Sequence, residues 1–228
     1  MKTLNMNDTN KKLTERQHFE FNGDNHLSNS IDTALRKDAF AKSDEEKINN
    51  IEVLFKGIME ELGLDLTDNS LKGTPYRVAK MYVSELFHGL NPQNKPSLSV
   101  FDNHYQYNKI LLEKNITFSS ACEHHFLPIV GKAHIAYISS GKVIGLSKLN
   151  RLVEYYSRRP QVQERLTLQI FNELKNTLNT EDIIVMIEAE HLCISSRGVN
   201  DKSSSTTTLE YGGKFTEVNM RNEFFQLL

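Results

Sequence analysis

The 228-residue chain has only two cysteines, Cys122 and Cys193, and both lie beside histidines. Cys122-Glu123-His124-His125 sets a thiol and an imidazole three residues apart, a spacing that lets one turn supply two metal ligands. The second thiol is in His191-Leu192-Cys193. Residues two apart in an extended strand face the same way, so His191 and Cys193 are expected to project together. Cys122, His125 and Cys193 form a Cys2His donor set that suits zinc by softness and geometry. Such a trio leaves a fourth position for water, whose pKa on zinc falls toward ~7. A purely structural site would instead be closed by His124 or His191. If the position is open, those two histidines are proton carriers, since an unperturbed imidazole titrates at about 6.5. Two unrelated buried thiols are the competing reading, weakened by the flanking histidines. His18, His26, His88, His104 and His134 lack this context and are read as structural or surface residues.

A second pattern is cationic. Arg77 and Lys80 share a helix face after Gly73-Thr74-Pro75, Lys148 and Arg151 share another after Ser147, and Arg197 follows Cys193 by four residues. Lysines and arginines near helix N-termini bind phosphates when they converge, and are solvated surface charges when they do not. Glu164 falls in the first turn of a helix, where the dipole favours a carboxylate anyway. Its functional reading is acceptance of two hydrogen bonds from adjacent N–H donors of a guanine edge.

The elements that must position these groups follow from pattern. Residues 1–42 are polar, without sustained hydrophobic period, and are read as a mostly disordered tail with transient helix around 31–40. Ser43 and Glu46 have capping-box spacing before a helix whose stop is Gly63. Thr74 as N-cap and Pro75 at the first position start a second helix, stopped by Gly89. Strands are expected at 108–119 and 129–140, separated by the Cys-Glu-His-His segment, with a short one at 143–145. Ser147 is expected to cap a helix and Pro160 to start a longer one. Strands at 181–190 and within 204–215 complete the order. The boundaries are a helical region over 43–106 and a catalytic domain over 107–228. Strands grouped around a helix pair argue for an α+β fold on an antiparallel four-stranded sheet.

Composition narrows the function. A net charge of −2, with 39% hydrophobic and 25% charged residues, describes a soluble globular chain without global attraction to nucleic acid or anionic membranes. No apolar run approaches the roughly 20 residues that span a bilayer. The polar start MKTLNMNDTNKK is unlike a secretory signal, so a cytoplasmic location is expected.

Several strings, in order, resemble GTP cyclohydrolase I from about Ile48 to the C-terminus: Gly73-Thr74-Pro75-x-Arg77-Val78-Ala79-Lys80, Cys122-Glu123-His124-His125, Gly145-Leu146-Ser147-Lys148-Leu149-Asn150-Arg151, Arg159-Pro160-Gln161-Val162-Gln163-Glu164-Arg165 and His191-x-Cys193 with Arg197-Gly198. The resemblance implies a helical region followed by a tunnelling-fold unit, with sheets closing into oligomeric barrels and a homodecamer with sites between subunits. It implies conversion of GTP to 7,8-dihydroneopterin triphosphate and formate, the first step of folate or pterin synthesis. By the same resemblance Cys122, His125 and Cys193 hold Zn2+, and zinc-bound hydroxide attacks purine C8 while His191 and His124 move protons. Glu164, with Gln163 nearby, would take the guanine edge. Ser147, Lys148, Arg151, Arg197, Arg77 and Lys80 would take the ribose and triphosphate. Two rivals are a metal-free tunnelling-fold nitrile reductase with a nucleophilic cysteine, and a non-catalytic zinc-stabilised binding protein.

Overall fold

In the computed structural model, which describes residues 30–228, the first helix starts where its capping residues require. Ser43 Oγ accepts from the Glu46 N–H at 3.2 Å, and the Glu46 carboxylate accepts from the Ser43 N–H at 2.8 Å, the reciprocal capping box. Helix α1 runs Asp44–Glu61 and ends at Gly63, whose φ of 77° is the left-handed conformation of a C-terminal stop. Of the expected tail, residues 1–29 lie outside the described residues, and the expected helix around 31–40 is a set of turns over 37–40. Residues 33–228 form one unit.

Helix α2 spans Thr74–Met81, with Gly73 as its N-cap, which corrects the assignment of Thr74. The Thr74 hydroxyl instead accepts from Arg77 Nη2 at 2.7 Å. Gly89 does not end this helix directly, because a π turn over Tyr82–Leu86 follows the helix and Gly89 lies inside a separate 3-10 turn over His88–Leu90. Gly89 is glycine because a Cβ there would meet the backbone oxygens of Tyr155 and Arg158, and its N–H donates to the Arg158 carbonyl at 3.0 Å. The helical segment is thereby seated on the end of helix α3, Leu146–Ser157.

The main sheet holds β2 (Ile110–Cys122), β3 (Pro128–Ile138), β6 (Ile183–His191) and β7 (Thr206–Tyr211), antiparallel in that order. A fifth strand, β5 (Pro160–Gln161), joins the edge parallel to β2, so the expected four strands become five. Pro160 therefore starts no helix. It lacks an N–H, which an edge position tolerates, and helix α4 begins at Gln163 and runs to Leu178. Ser147 is likewise not a cap but the second residue of α3, capped by Gly145. A small two-stranded ladder pairs β1 (Val100–Asp102) with β4 (Lys142–Ile144).

Strand alternation feeds two cores. Ala133, Ile135 and Tyr137 of β3 and Ile183, Val185 and Ile187 of β6 pack beneath α3 and α4 with Leu149, Leu152, Leu166, Ile170 and Leu174. Ala136, Ile138, Ile184 and Met186 face the other way, against Phe215 and Phe224, the latter on α5 (Val218–Leu227). Both faces being covered there, β6 is apolar without interruption from Ile183 to Ile187. The result is a mixed α+β architecture on an antiparallel sheet. Among the described residues no helix is long and apolar enough to cross a membrane.

Candidate metal centre and nucleotide site

The hairpin between β2 and β3 carries the first half of the site. Cys122 is the last residue of β2, and its N–H donates to the Leu127 carbonyl at 2.8 Å while its carbonyl accepts from Phe126 N–H at 2.8 Å. Phe126 takes a φ of 56°, which lets the chain reverse within so short a loop. The edge bridge steadies the loop: Cys122 pairs with Gln161, and the Glu123 N–H donates to the Gln161 carbonyl at 3.0 Å.

The second half arrives on β6, whose terminal His191 is paired across from Ile129 at the start of β3. The strand does not continue to Cys193 as expected. A single helical turn over Leu192–Ser195 follows, and this turn brings Cys193 in. The ligand atoms of Cys122, His125 and Cys193 all lie within 4.8 Å of one another. Cys122 Sγ is 3.8 Å from His125 Nδ1 and 3.6 Å from His124 Nδ1.

This donor set fits zinc. Zn–S and Zn–N bonds of about 2.3 and 2.0–2.1 Å place tetrahedral ligands ~3.5–4 Å apart, close to the separation found. Burial, reinforced by the charge of Cys122 beside it, pushes the Cys193 thiol up to about 11. A Cys193 thiol held protonated by burial is one that a divalent cation at this site would convert to thiolate.

Around the trio the structure places four further groups. The N-terminus of α4 brings Gln163, Glu164 and Arg165 to the same end of the sheet. His191 Nε2 is 2.9 Å from Gln163 Oε1. Burial holds the His191 imidazole below its ordinary pKa, partly opposed by the nearby Glu164 carboxylate. Glu164 itself is exposed. Gln163, in contrast, is 2% exposed, with its amide engaged inside the fold.

Sequence reasoning assigned no role to Glu123 or Arg165. Arg165 is 4% exposed, and its Nη1 and Nη2 donate to the two Glu123 oxygens at 2.6 and 3.2 Å, a bidentate pair locking the metal loop to α4. The Glu123 carboxylate also lies 3.7 Å from His124 Nε2. The partners are 42 residues apart, and no local spacing announces them.

The cationic residues are more dispersed. Arg197 follows the Cys193 turn, and its charge is felt at that thiol. Lys148 and Arg151 lie on the first turns of α3, with exposed Ser147 between Leu146 and Lys148. Arg77 and Lys80 are exposed on α2, and the Arg77 guanidinium donates to the Ser70 carbonyl at 3.1 Å and to Thr74.

Comparison with known proteins places the chain in a family. Residues 51–228 match the family model of GTP cyclohydrolase I. The GTP cyclohydrolase 1 of Flavobacterium johnsoniae is 57% identical over 206 residues, covering 90% of this chain and 92% of that protein. The GTP cyclohydrolase 1 of Aeromonas salmonicida is 49% identical over 187 residues, covering 82% and 86%. That of Citrobacter koseri is 43% identical over 201 residues, covering 88% and 90%. Among solved structures, the apo archaeosine synthase QueF-Like superposes with a TM-score of 0.39 at 15% identity, covering 46% of this chain and 94% of that one. With the matched region spanning the hairpin, the Cys193 turn and the start of α4, the chain belongs to the GTP cyclohydrolase I family.

Proposed function

We propose that the reaction of this enzyme, a hydrolase converting GTP to 7,8-dihydroneopterin triphosphate and formate, runs at the centre formed by the β2–β3 hairpin, the Cys193 turn and the start of α4. The observation that carries this reading is the convergence of Cys122, His125 and Cys193 to within 4.8 Å, at the end of the strand that carries His191, whose imidazole feels the Glu164 charge. When held by these three residues, zinc supplies the Lewis acidity that makes water nucleophilic near neutral pH.

The remaining roles belong to the chain. Glu164, exposed on the first turn of α4, accepts from the ring N–H and amino group of guanine, which presents purine C8 to the metal. His191 moves a proton to N7 as the imidazole ring opens, and His124, in contact with both Cys122 and Glu123, serves the later proton transfers. Arg197, Lys148, Arg151, Arg77 and Lys80 neutralise the triphosphate, and Ser147 hydrogen-bonds ribose or phosphate. Spread over three elements, these cations suit a site completed by a second copy. The open edge at β7 and the exposed Val53, Leu54 and Ile58 of α1, with Leu62 at its C-cap, are surfaces that a homo-oligomer, a decamer by family resemblance, covers.

The test is direct. Zinc-loaded protein incubated with GTP is expected to release formate and, after oxidation, a fluorescent pterin. His191→Ala is expected to keep zinc and fold while turnover collapses. Absence of both products at stoichiometric zinc would sink the reading.

A further inference from the structure

We propose that Gln163 is a positioning residue that fixes His191 as its Nε2–H tautomer, so that Nδ1 is the basic atom that takes up a proton and then passes it to the substrate. The inference rests on the proton-carrying role of His191 given above.

Gln163 Nε2 lies 3.0 Å from the Ile187 carbonyl oxygen and 2.9 Å from the Thr206 carbonyl oxygen. Backbone carbonyls only accept, so the NH2 end of the amide must face them. The opposite flip would press Oε1 against two other oxygens inside a buried site. Thr208 agrees with this assignment. The Thr167 hydroxyl donates to the Gln163 carbonyl at 2.9 Å, so in the 2.7 Å Thr167–Thr208 contact Thr208 is the donor. The Thr208 oxygen, 3.2 Å from Gln163 Nε2, is then left to accept.

With the amide oriented, Oε1 is the atom 2.9 Å from His191 Nε2, and an amide oxygen only accepts. His191 Nε2 therefore carries hydrogen. A neutral imidazole has one N–H, so the lone pair is on Nδ1. The carbonyls of Ile187 on β6 and Thr206 on β7 thus set the tautomer of His191 through the Gln163 amide. Groups that orient an imidazole in this way are worth about 10- to 100-fold in activity.

The experiment is nitrogen NMR of zinc-loaded protein labelled with 15N-histidine, with the His191 signals assigned by their loss in His191→Ala. The wild type is expected to show the Nε2–H pattern. Gln163→Met, similar in length but without hydrogen bonds, is expected to show mixed tautomers and a kcat lower by about 10- to 100-fold. Its KM and zinc content should stay within about twofold, since the lost interaction acts on the chemical step. Gln163→Glu, buried as the neutral acid, retains an acceptor for His191 and a hydroxyl for one carbonyl, and is expected to restore the Nε2–H pattern and most of kcat. An Nδ1–H pattern in the wild type overturns the proposal, as does Gln163→Met with unaltered signals and kcat. The tautomer is read without GTP, so its failure is distinct from failure of the His191 role, which undiminished turnover by His191→Ala would show.

Discussion

Removing one side of the Arg165–Glu123 pair tests whether the metal loop is held by α4. Arg165→Met keeps the aliphatic stem and deletes two charge-assisted bonds, at 2.6 and 3.2 Å. Breaking a buried ion pair from one side costs about 3–5 kcal/mol. Here the carboxylate left behind keeps 23% of its side-chain surface, so water offsets part of that. The expected loss is about 2–3 kcal/mol, which for a chain of this length lowers Tm by roughly 5–10 °C. Introducing Glu123→Gln into the Arg165→Met background should then cost less than in the wild type, with a coupling of about 2 kcal/mol. The assay is thermal unfolding of the four proteins of the cycle, followed by competition with a chromophoric chelator. Because Glu123 sits between Cys122 and His124, zinc affinity is expected to fall about 10- to 100-fold with Arg165→Met. A coupling below about 0.5 kcal/mol together with unchanged zinc affinity would refute the clamp.

Three smaller tests concern the scaffold. His134 is 5% exposed, neither ring nitrogen has a hydrogen-bond partner among the described residues, and burial outweighs Glu188 to hold its pKa below the ordinary value, with Lys132 and Lys114 adding to the lowering. The unfolded chain therefore takes the proton first, so stability present above about pH 6.5 is lost as pH falls toward the folded pKa; Tm measured against pH should fall less steeply on the acid side in His134→Gln. Leu174→Ala, at a fully buried position under the sheet, should cost about 2–5 kcal/mol by denaturant unfolding. Tyr156→Phe removes a 2.9 Å bond to Glu173, which retains Lys95 at 2.7 Å, so the same assay should show a loss of only about 1–2 kcal/mol.

Much of this site was legible because its signals are local. The Ser43–Glu46 box, Gly63 and the Cys122–His125 spacing each depend on residues within one turn, and all three appear where they were expected. Cys193 joins the trio through a helical turn rather than through strand alternation. Strand alternation placed it beside His191, whereas β6 stops at His191 and a helical turn carries the thiol inward. The C-terminal helix α5 was not foreseen, since Met220 and Phe224, with Leu228 just past its end, make only a weak stripe that becomes a core when the sheet is present. The same is true of β5, two residues long and defined solely by its partner β2.

What stayed hidden has a common physical origin. Glu123 meets Arg165 across 42 residues, and Gln163 is fixed by the carbonyls of Ile187 and Thr206, groups that every residue type presents alike. Such contacts are set by register. Pairing of Ile129 with His191, and of Gly131 with Ala189, fixes where β6 ends against the hairpin. A Cβ at Gly131 would meet the Glu188 carbonyl oxygen and the Ala189 Cβ, so glycine permits this close approach. A one-residue slip would turn every β6 side chain to the opposite face, moving His191 away from Gln163 and Val185 out of the core. The apolar run Ile183–Ile187, buried on both faces, does not by itself resist that slip, because either face of it is hydrophobic. The polar residues at its end do: Glu188 and Glu190 alternate with Ala189, and only the observed register leaves both carboxylates exposed while Ala189 is buried. The residues that fix the geometry of the candidate metal centre are therefore partly ones outside the Cys122, His125 and Cys193 trio.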